Sequence, residues 1–240
     1  AYEITYGDWS SDVCSSDLAV ILEGLSRLAP GVAVVSEEAM SKSGPPPLGE
    51  RFFLVDPLDS TRELLAGEPD YTVNIALIDH GVPVAGVIAA PALGLLWRGV
   101  VGSGAQRLRL PAGAEPAAAL ETTAIHTRPK PAQGAIAVIS RFHRDPDTDA
   151  CLDRFSGVQR MVAGSSLKFC RLAEGSADIY VRMTSIWEWD IAAGHALVTA
   201  AGGIMTTAAG EPIRYGQPGL RTPKFAAFGD PAAASELRPA

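Results

Sequence analysis

Cysteine is scarce in this 240-residue chain: Cys14, Cys151 and Cys170 are an odd number, irregularly spaced, with no Cys-x-x-Cys pair. That argues against a disulfide framework or a thiolate zinc site and suits a reducing compartment, so a cytoplasmic location is expected. Long apolar runs are missing too. None reaches the roughly 18 residues a membrane-spanning helix needs, so no transmembrane segment is expected. Ala1-Tyr2-Glu3-Ile4 lacks the basic region and apolar stretch of a secretory signal. Positive charge is the third shortage. Lys and Arg number 20 against 27 Asp and Glu, a net charge of −7, and the isoelectric point is about 5.1. With no Lys/Arg-rich stripe to offset phosphate repulsion, a nucleic-acid polymer is not an expected partner. A small phosphorylated metabolite is compatible with the charge, because bound metal ions reverse a local field.

What is present reads as a layered globular protein. Hydrophobic residues make up 47% of the chain and charged ones 20%, and abundant Ala and Gly accompany helices packed on sheets. The length allows one domain or two joined halves. Ile21, Leu22, Leu25 and Leu28 fall at helical spacing, with Pro30-Gly31 as the stop. A short strand is expected over 32–35, a surface loop from Ser41 to Gly49, and a second strand from Arg51 to Val55. Tyr71–Ile78 and Val82–Ala89 form a hairpin about Asp79-His80-Gly81, and Leu95–Val101 continues the meander. The stretch from Pro111 to Pro131 is rich in Ala, Pro and Thr and marks the candidate boundary, giving halves of 1–125 and 126–240. Beyond it the pattern turns to strands at 135–140 and 177–181, with helices at 147–155, 167–174 and 190–201, the last stopped by Gly202-Gly203. A site between the halves is expected in this mixed α and β fold.

Asp56-Pro57-Leu58-Asp59-Ser60-Thr61 carries the most chemistry. It ends a strand, where ligand sites gather in α/β layers. Pro57 fixes the turn, so that Asp56 and Asp59 converge with the Leu58 carbonyl on one point. Hard cations such as Mg²⁺ favour that all-oxygen set. The Thr61 hydroxyl is placed to orient a water, and the backbone amides beside it suit phosphate. Alone, the segment also reads as a helix-capping turn. Glu37-Glu38, likewise at a strand end, is a pair whose repulsion a cation would relieve, or an ordinary surface pair. Asp190, at the start of the Ala-rich helix, reads alone as an N-cap. Gly164-Ser165-Ser166-Leu167-Lys168 offers hydroxyls and one cation, either for a phosphate or for capping. Ser140-Arg141-Phe142-His143-Arg144 offers further positive charge or a solvated turn. His80, His126 and His195 read as turn, loop and helix-surface residues.

In this order, the Glu-Glu pair, Asp-Pro-Leu-Asp-x-Thr and Trp-Asp-x-Ala-Ala-Gly resemble the inositol monophosphatase-like superfamily. Within it, Val34–Glu38, Tyr71–Gly81 and Gly164–Cys170 are most similar to bisphosphate nucleotidases of the CysQ type. The likeness runs from about Ile21 to the C-terminus. It implies a layered αβαβα sandwich of the inositol monophosphatase/fructose-bisphosphatase type, Mg²⁺ as cofactor and hydrolysis of a small phosphate monoester by metal-activated water. The expected substrate is 3'-phosphoadenosine 5'-phosphate, cleaved to AMP and phosphate. Inositol or sugar phosphates are the alternative, and a weakened metal- and nucleotide-binding regulator is the non-enzymatic one. By the resemblance, Glu37, Asp56, the Leu58 carbonyl, Asp59 and Asp190 are metal ligands, and Thr61, Asp59 and Glu37 are catalytic. Leu58, Ser60, Thr61, Gly164, Ser165, Ser166, Lys168 and Asp190 bind substrate. A homodimer is left open.

Two positions depart from the pattern. Ser60 stands where the family usually has Gly, and a negative φ is expected there, with tuning as its only consequence. The family's water-activating Asp, in a Thr-x-Ala-Asp stretch, falls at Cys14, with Asp12 and Asp17 out of register. Residues up to about Leu18 look foreign to the pattern. An unperturbed thiol carries no charge at neutral pH and replaces that carboxylate poorly.

Overall fold

Alternation along the central strands decides how the layers stack. In the computed structural model, which describes residues 6–44 and 46–237 and side chains from residue 15 except 41–43, Phe52, Leu54, Ala76 and Ile78 face one way. Phe53, Val55, Ile75 and Leu77 face the other, as a two-residue period requires. These belong to β2 (Arg51–Asp59) and β3 (Thr72–Asp79) of a seven-stranded sheet. Its strands run in chain order: β1 (Ala33–Ser36), β2, β3, β4 (Val82–Ala90), β5 (Leu95–Val100), β6 (Gly104–Arg109) and β7 (Glu121–Ile125). The β1–β2 pair is parallel and the rest antiparallel.

The second sheet has five strands: β8 (Ile136–Ile139), β9 (Gln159–Val162), β10 (Ile179–Arg182), β11 (Ile204–Thr207) and β12 (Phe225–Phe228), in the order β11-β12-β10-β8-β9. Helix α1 (Tyr6–Leu28) covers the outer face of the first sheet with Leu18 and Leu25; α2 (Glu37–Ser43) and the single turn α3 (Thr61–Leu65) follow β1 and β2. Helix α4 (Pro146–Leu152) and the turn at Pro231–Leu237 cover the outer face of the second sheet. Between the sheets lie α5 (Leu167–Ala173) and α6 (Ala192–Ala200), packed in one core with Trp97, Trp189, Tyr180 and Phe225. Helix, sheet, helix, sheet, helix is the expected layering. Close approach is needed at Gly86, where a Cβ would come within 3.0 Å of Ala193 Cα on α6.

Several elements differ from expectation. Helix α1 begins at Tyr6 rather than near Ile21; of the four spaced residues Ile21 and Leu25 pack on the sheet with Leu18, while Leu22 and Leu28 are exposed. The side chains of Asp12 and Cys14 lie outside the described residues. Residues 41–43 end α2 instead of opening a loop, since Ser36 caps that helix by accepting from Ala39 N at 3.2 Å. Strand β7 falls inside the stretch read as a boundary, because β6 supplies a partner for its backbone. His195 was expected on a helix surface. It is instead tucked against Tyr215, its Nδ1 3.0 Å from the hydroxyl, and burial brings its imidazole down to about 4.

Candidate active site

Residues 56 and 59 are three apart, so an unbroken strand would point them to opposite faces. The ladder shows why they do not: Asp56 pairs with Asn74 and Asp59 with Thr72, which leaves one extra residue in β2. The irregularity falls at Pro57, which has no N–H to give the ladder. Both carboxylates therefore open into one cleft of about 460 Å³. Glu37, the first residue of α2, and Asp190, at the end of a 3₁₀ turn before α6, line it too, as do Leu58, Ser60 and Thr61. The cleft volume suits a small ligand.

The cluster is electrostatically costly. Asp56 is 2% exposed. Burial, then the charges of Asp59, Asp190 and Glu37, push its carboxyl well above the usual range, against one hydrogen bond from Leu58 N at 3.0 Å. Burial and Asp59 push Asp190 up to about 8, although its Oδ2 accepts from Trp187 N at 3.0 Å. Glu37 is raised by burial, Glu38 and Asp59. Such a set calls for positive charge.

Asp59 is held by a hydroxyl and amide network drawn from the neighbouring strand β3 and from Ser165 and Ser166. Its Oδ2 accepts from Ser165 Oγ at 2.5 Å, Ser166 Oγ at 3.2 Å and Asn74 Nδ2 at 3.4 Å. Ser166 Oγ also lies 3.1 Å from the Asp190 carbonyl and receives Asn74 Nδ2 at 3.0 Å. Thr72 Oγ1 reaches Asn74 Oδ1 at 3.0 Å and Ser165 Oγ at 2.6 Å. The serines thus tie Asp59 to Asp190 instead of capping α5, whose N-cap Ser166 makes no side-chain cap bond. Gly164 does not line the cleft; its N–H binds Asp70 Oδ2 at 3.0 Å. Thr72 and Asn74 were not singled out individually from the sequence. Their signal is two buried polar residues spaced by two in an otherwise apolar strand.

Ser60 contradicts the expected negative φ: it sits at φ 74°, ψ 58°, and Ser165 also has φ 50°. A left-handed conformation costs a side-chain-bearing residue about 1–2 kcal/mol, and here the strain flanks Asp59 on both sides. Ser60→Gly is therefore expected to stabilise the chain by about 1 kcal/mol, a rise in Tm of about 3 °C by thermal unfolding. An unchanged or lower Tm would show that the serine is not strained.

Basic residues line the same cleft. Lys168, Arg62, His143, Arg182 and Arg221 all line the cleft. Burial brings the Lys168 ammonium down to about 8 against the pull of Asp59. His143 is lowered by burial and by Arg182, Arg62 and Lys168. Arg182 Nε is buried without a hydrogen-bond partner among the described residues. Of the segment 140–144 only Ser140 and His143 reach the cleft; Arg141 pairs with Asp70 at 3.0 Å and Arg144 with Asp149 at 2.7 Å. The three other arginines went unmarked in the sequence because they come from separate elements.

The donor chemistry fits a hard divalent cation, since four carboxylates share one cleft and repel each other. Among the described residues no group of three or more His, Cys, Asp or Glu side chains is arranged to hold an ion by itself.

Residues 18–237 match the model of the inositol monophosphatase family. The 3'(2'),5'-bisphosphate nucleotidase CysQ of Escherichia coli K12 is 37% identical over 209 residues, covering 86% of this chain and 80% of that protein. A crystal structure of CysQ from Bacteroides thetaiotaomicron superposes with a TM-score of 0.71 at 33% identity, over 84% of this chain and 78% of that one. An inositol monophosphatase from Anabaena gives 0.74 at 25% identity, over 95% and 85%.

Proposed function

The chain belongs to the inositol monophosphatase family, and from that premise we propose that it is a Mg²⁺-dependent phosphatase of 3'(2'),5'-bisphosphate nucleotides. It would convert 3'-phosphoadenosine 5'-phosphate to AMP and phosphate. The observation carrying this reading is one cleft lined both by Glu37, Asp56, Asp59 and Asp190 and by Lys168, Arg62, His143 and Arg182. One phosphate would be held by the carboxylates through a bound cation. The basic side chains suit a second, which a sugar-alcohol monophosphate lacks. The similarity to the CysQ nucleotidases supports the same substrate, and cysteine usage supports a cytoplasmic location.

Glu37, Asp56, Asp59, Asp190 and the Leu58 carbonyl would hold the metal. A divalent cation bound there supplies Lewis acidity, making water nucleophilic near neutral pH and neutralising charge on the phosphoryl group. Thr61, at the start of α3 and on the cleft wall, orients the attacking water. Ser165 and Ser166 keep Asp59 in place through their hydroxyls. As water adds to phosphorus, the ester P–O bond breaks and the departing ribose oxygen takes up the proton that the attacking water gives up. Lys168 and Arg182 hold the rest of the substrate, so the reacting phosphate does not drift.

The test compares turnover of 3'-phosphoadenosine 5'-phosphate and inositol 1-phosphate with Mg²⁺. The nucleotide is expected to win by at least about tenfold in kcat/KM. The reverse order would make this an inositol monophosphatase. Nucleotide binding without phosphate release would make it a regulator, the outcome Cys14 raises, and Cys14→Asp would then be the variant to make.

A further inference from the structure

Beside the carboxylate cluster the cleft has an aromatic edge that the phosphate chemistry does not use. Trp187 lies parallel to Trp189, ring centroids 4.8 Å apart and planes 12° from parallel. The guanidinium carbon of Arg221 stands 4.4 Å from the Trp187 ring centroid. Trp187 thus packs on Trp189 and carries the Arg221 guanidinium over its ring, one stack of three groups. Its base is fixed, because Trp189 is 2% exposed and part of the central core.

The top of the stack is held as firmly. Trp187 and Arg221 face each other across an antiparallel bridge. Glu188 N donates to the Leu220 carbonyl at 2.9 Å and Thr222 N to the Ile186 carbonyl at 2.8 Å. Ile186 N reaches Thr222 Oγ1 at 3.1 Å. The buried Glu188 carboxylate takes Gly216 N at 2.7 Å and Gln217 N at 3.1 Å, anchoring the loop that leads to Arg221. Arg221 itself donates to the Ser185 carbonyl at 2.7 Å. That bond helps hold the guanidinium over the indole ring, and Arg221 lines the cleft. The stack adjoins the carboxylate cluster, since Trp187 N donates to Asp190 Oδ2 at 3.0 Å.

A point charge meant for phosphate needs no aromatic floor. A flat, weakly hydrated cation fixed on an indole has the properties of a stacking surface for a nucleobase, whose π face is its largest apolar area. From this geometry we infer that Arg221, laid on Trp187, is the surface on which the substrate's base stacks, making it a specificity residue for nucleotides over base-free phosphate esters. The inference rests on the nucleotidase reading and adds the group that recognises the base. The phosphates are left to the carboxylate cluster and the basic side chains of the cleft, and the base to Arg221.

The experiment uses the Mg²⁺-loaded enzyme and two substrates, 3'-phosphoadenosine 5'-phosphate and glycerol 2-phosphate, with Arg221→Ala and Arg221→Lys. Lysine keeps the charge and removes the plane. Both variants are expected to raise KM for the nucleotide about tenfold, with kcat nearly unchanged and the glycerol ester unaffected. Wild-type KM in Arg221→Lys would overturn the inference, because charge alone would then suffice. Equal losses on both substrates would overturn it too. Binding of AMP, read by quenching of tryptophan fluorescence, separates the inference from the reading it rests on. Quenching that Arg221→Ala weakens would support the base surface even if the nucleotide proved not to be hydrolysed. Quenching that neither variant changes would remove the base surface even if hydrolysis were intact.

Discussion

Asp56→Asn lowers kcat for phosphate release by about a thousandfold or more and leaves the metal-free chain as stable as the wild type or more so. Both parts follow from one arrangement. Asp56 lies buried among three other carboxylates, and burial and their charges hold its pKa well above the ordinary value. A carboxylate raised in this way costs the folded state stability at every pH above its unfolded value, because the folded chain must keep or expel a proton there. Asparagine removes that charge and keeps the acceptor for Leu58 N, now 3.0 Å away. In the proposed mechanism it also removes a cation ligand from the cluster. Phosphate-release assays with Mg²⁺ and thermal unfolding in EDTA read the two effects separately. Turnover within tenfold of wild type would take Asp56 out of the metal site. A large loss of Tm would show that the residue is structural.

Gly194→Ala is the second large effect, and it acts through packing. A Cβ at Gly194 would lie 2.2 Å from Phe169 Cγ and Cδ2 and 2.8 Å from Phe169 Cβ. Phe169 is 2% exposed and meets Tyr180 at 5.1 Å between centroids, so it has no room to retreat. The expected cost is about 3 kcal/mol, or about 10 °C in Tm for a chain of this size. The damage would reach the site, since α5 follows Ser165 and Ser166, the hydroxyls that hold Asp59. Gly24→Ala is the control. It sits in α1 with nothing within 4 Å of a new Cβ, and alanine there should stabilise by about 0.5–1 kcal/mol. Equal Tm values for the two variants would contradict the close α5–α6 approach.

The site was legible where its chemistry is local. Asp56, Asp59 and Thr61 lie within six residues, and a proline between the carboxylates is a visible reason for a strand to break register. The sequence could not display geometry made by distant pairings. Ser60 carries no mark of φ 74°; only the usual glycine of the family pointed to it. Thr72 and Asn74 look like ordinary strand residues until Ser165 and Ser166 arrive from a distant part of the chain. Arg62, Arg182 and Arg221 converge from three separate segments. The layering was readable from helices set against strands in both halves and from the family resemblance. Strand β7 was not, because its five residues, Glu121–Ile125, bury one side chain fully and owe their form to the partner strand.

The central claim, that a carboxylate-held cation drives phosphate hydrolysis here, is tested most directly by phosphate release from 3'-phosphoadenosine 5'-phosphate as Mg²⁺ is titrated into EDTA-treated wild-type protein. The account predicts no release in EDTA, a saturable rise with Mg²⁺, and full recovery when metal is restored. Release at the same rate in EDTA as in Mg²⁺ would contradict it.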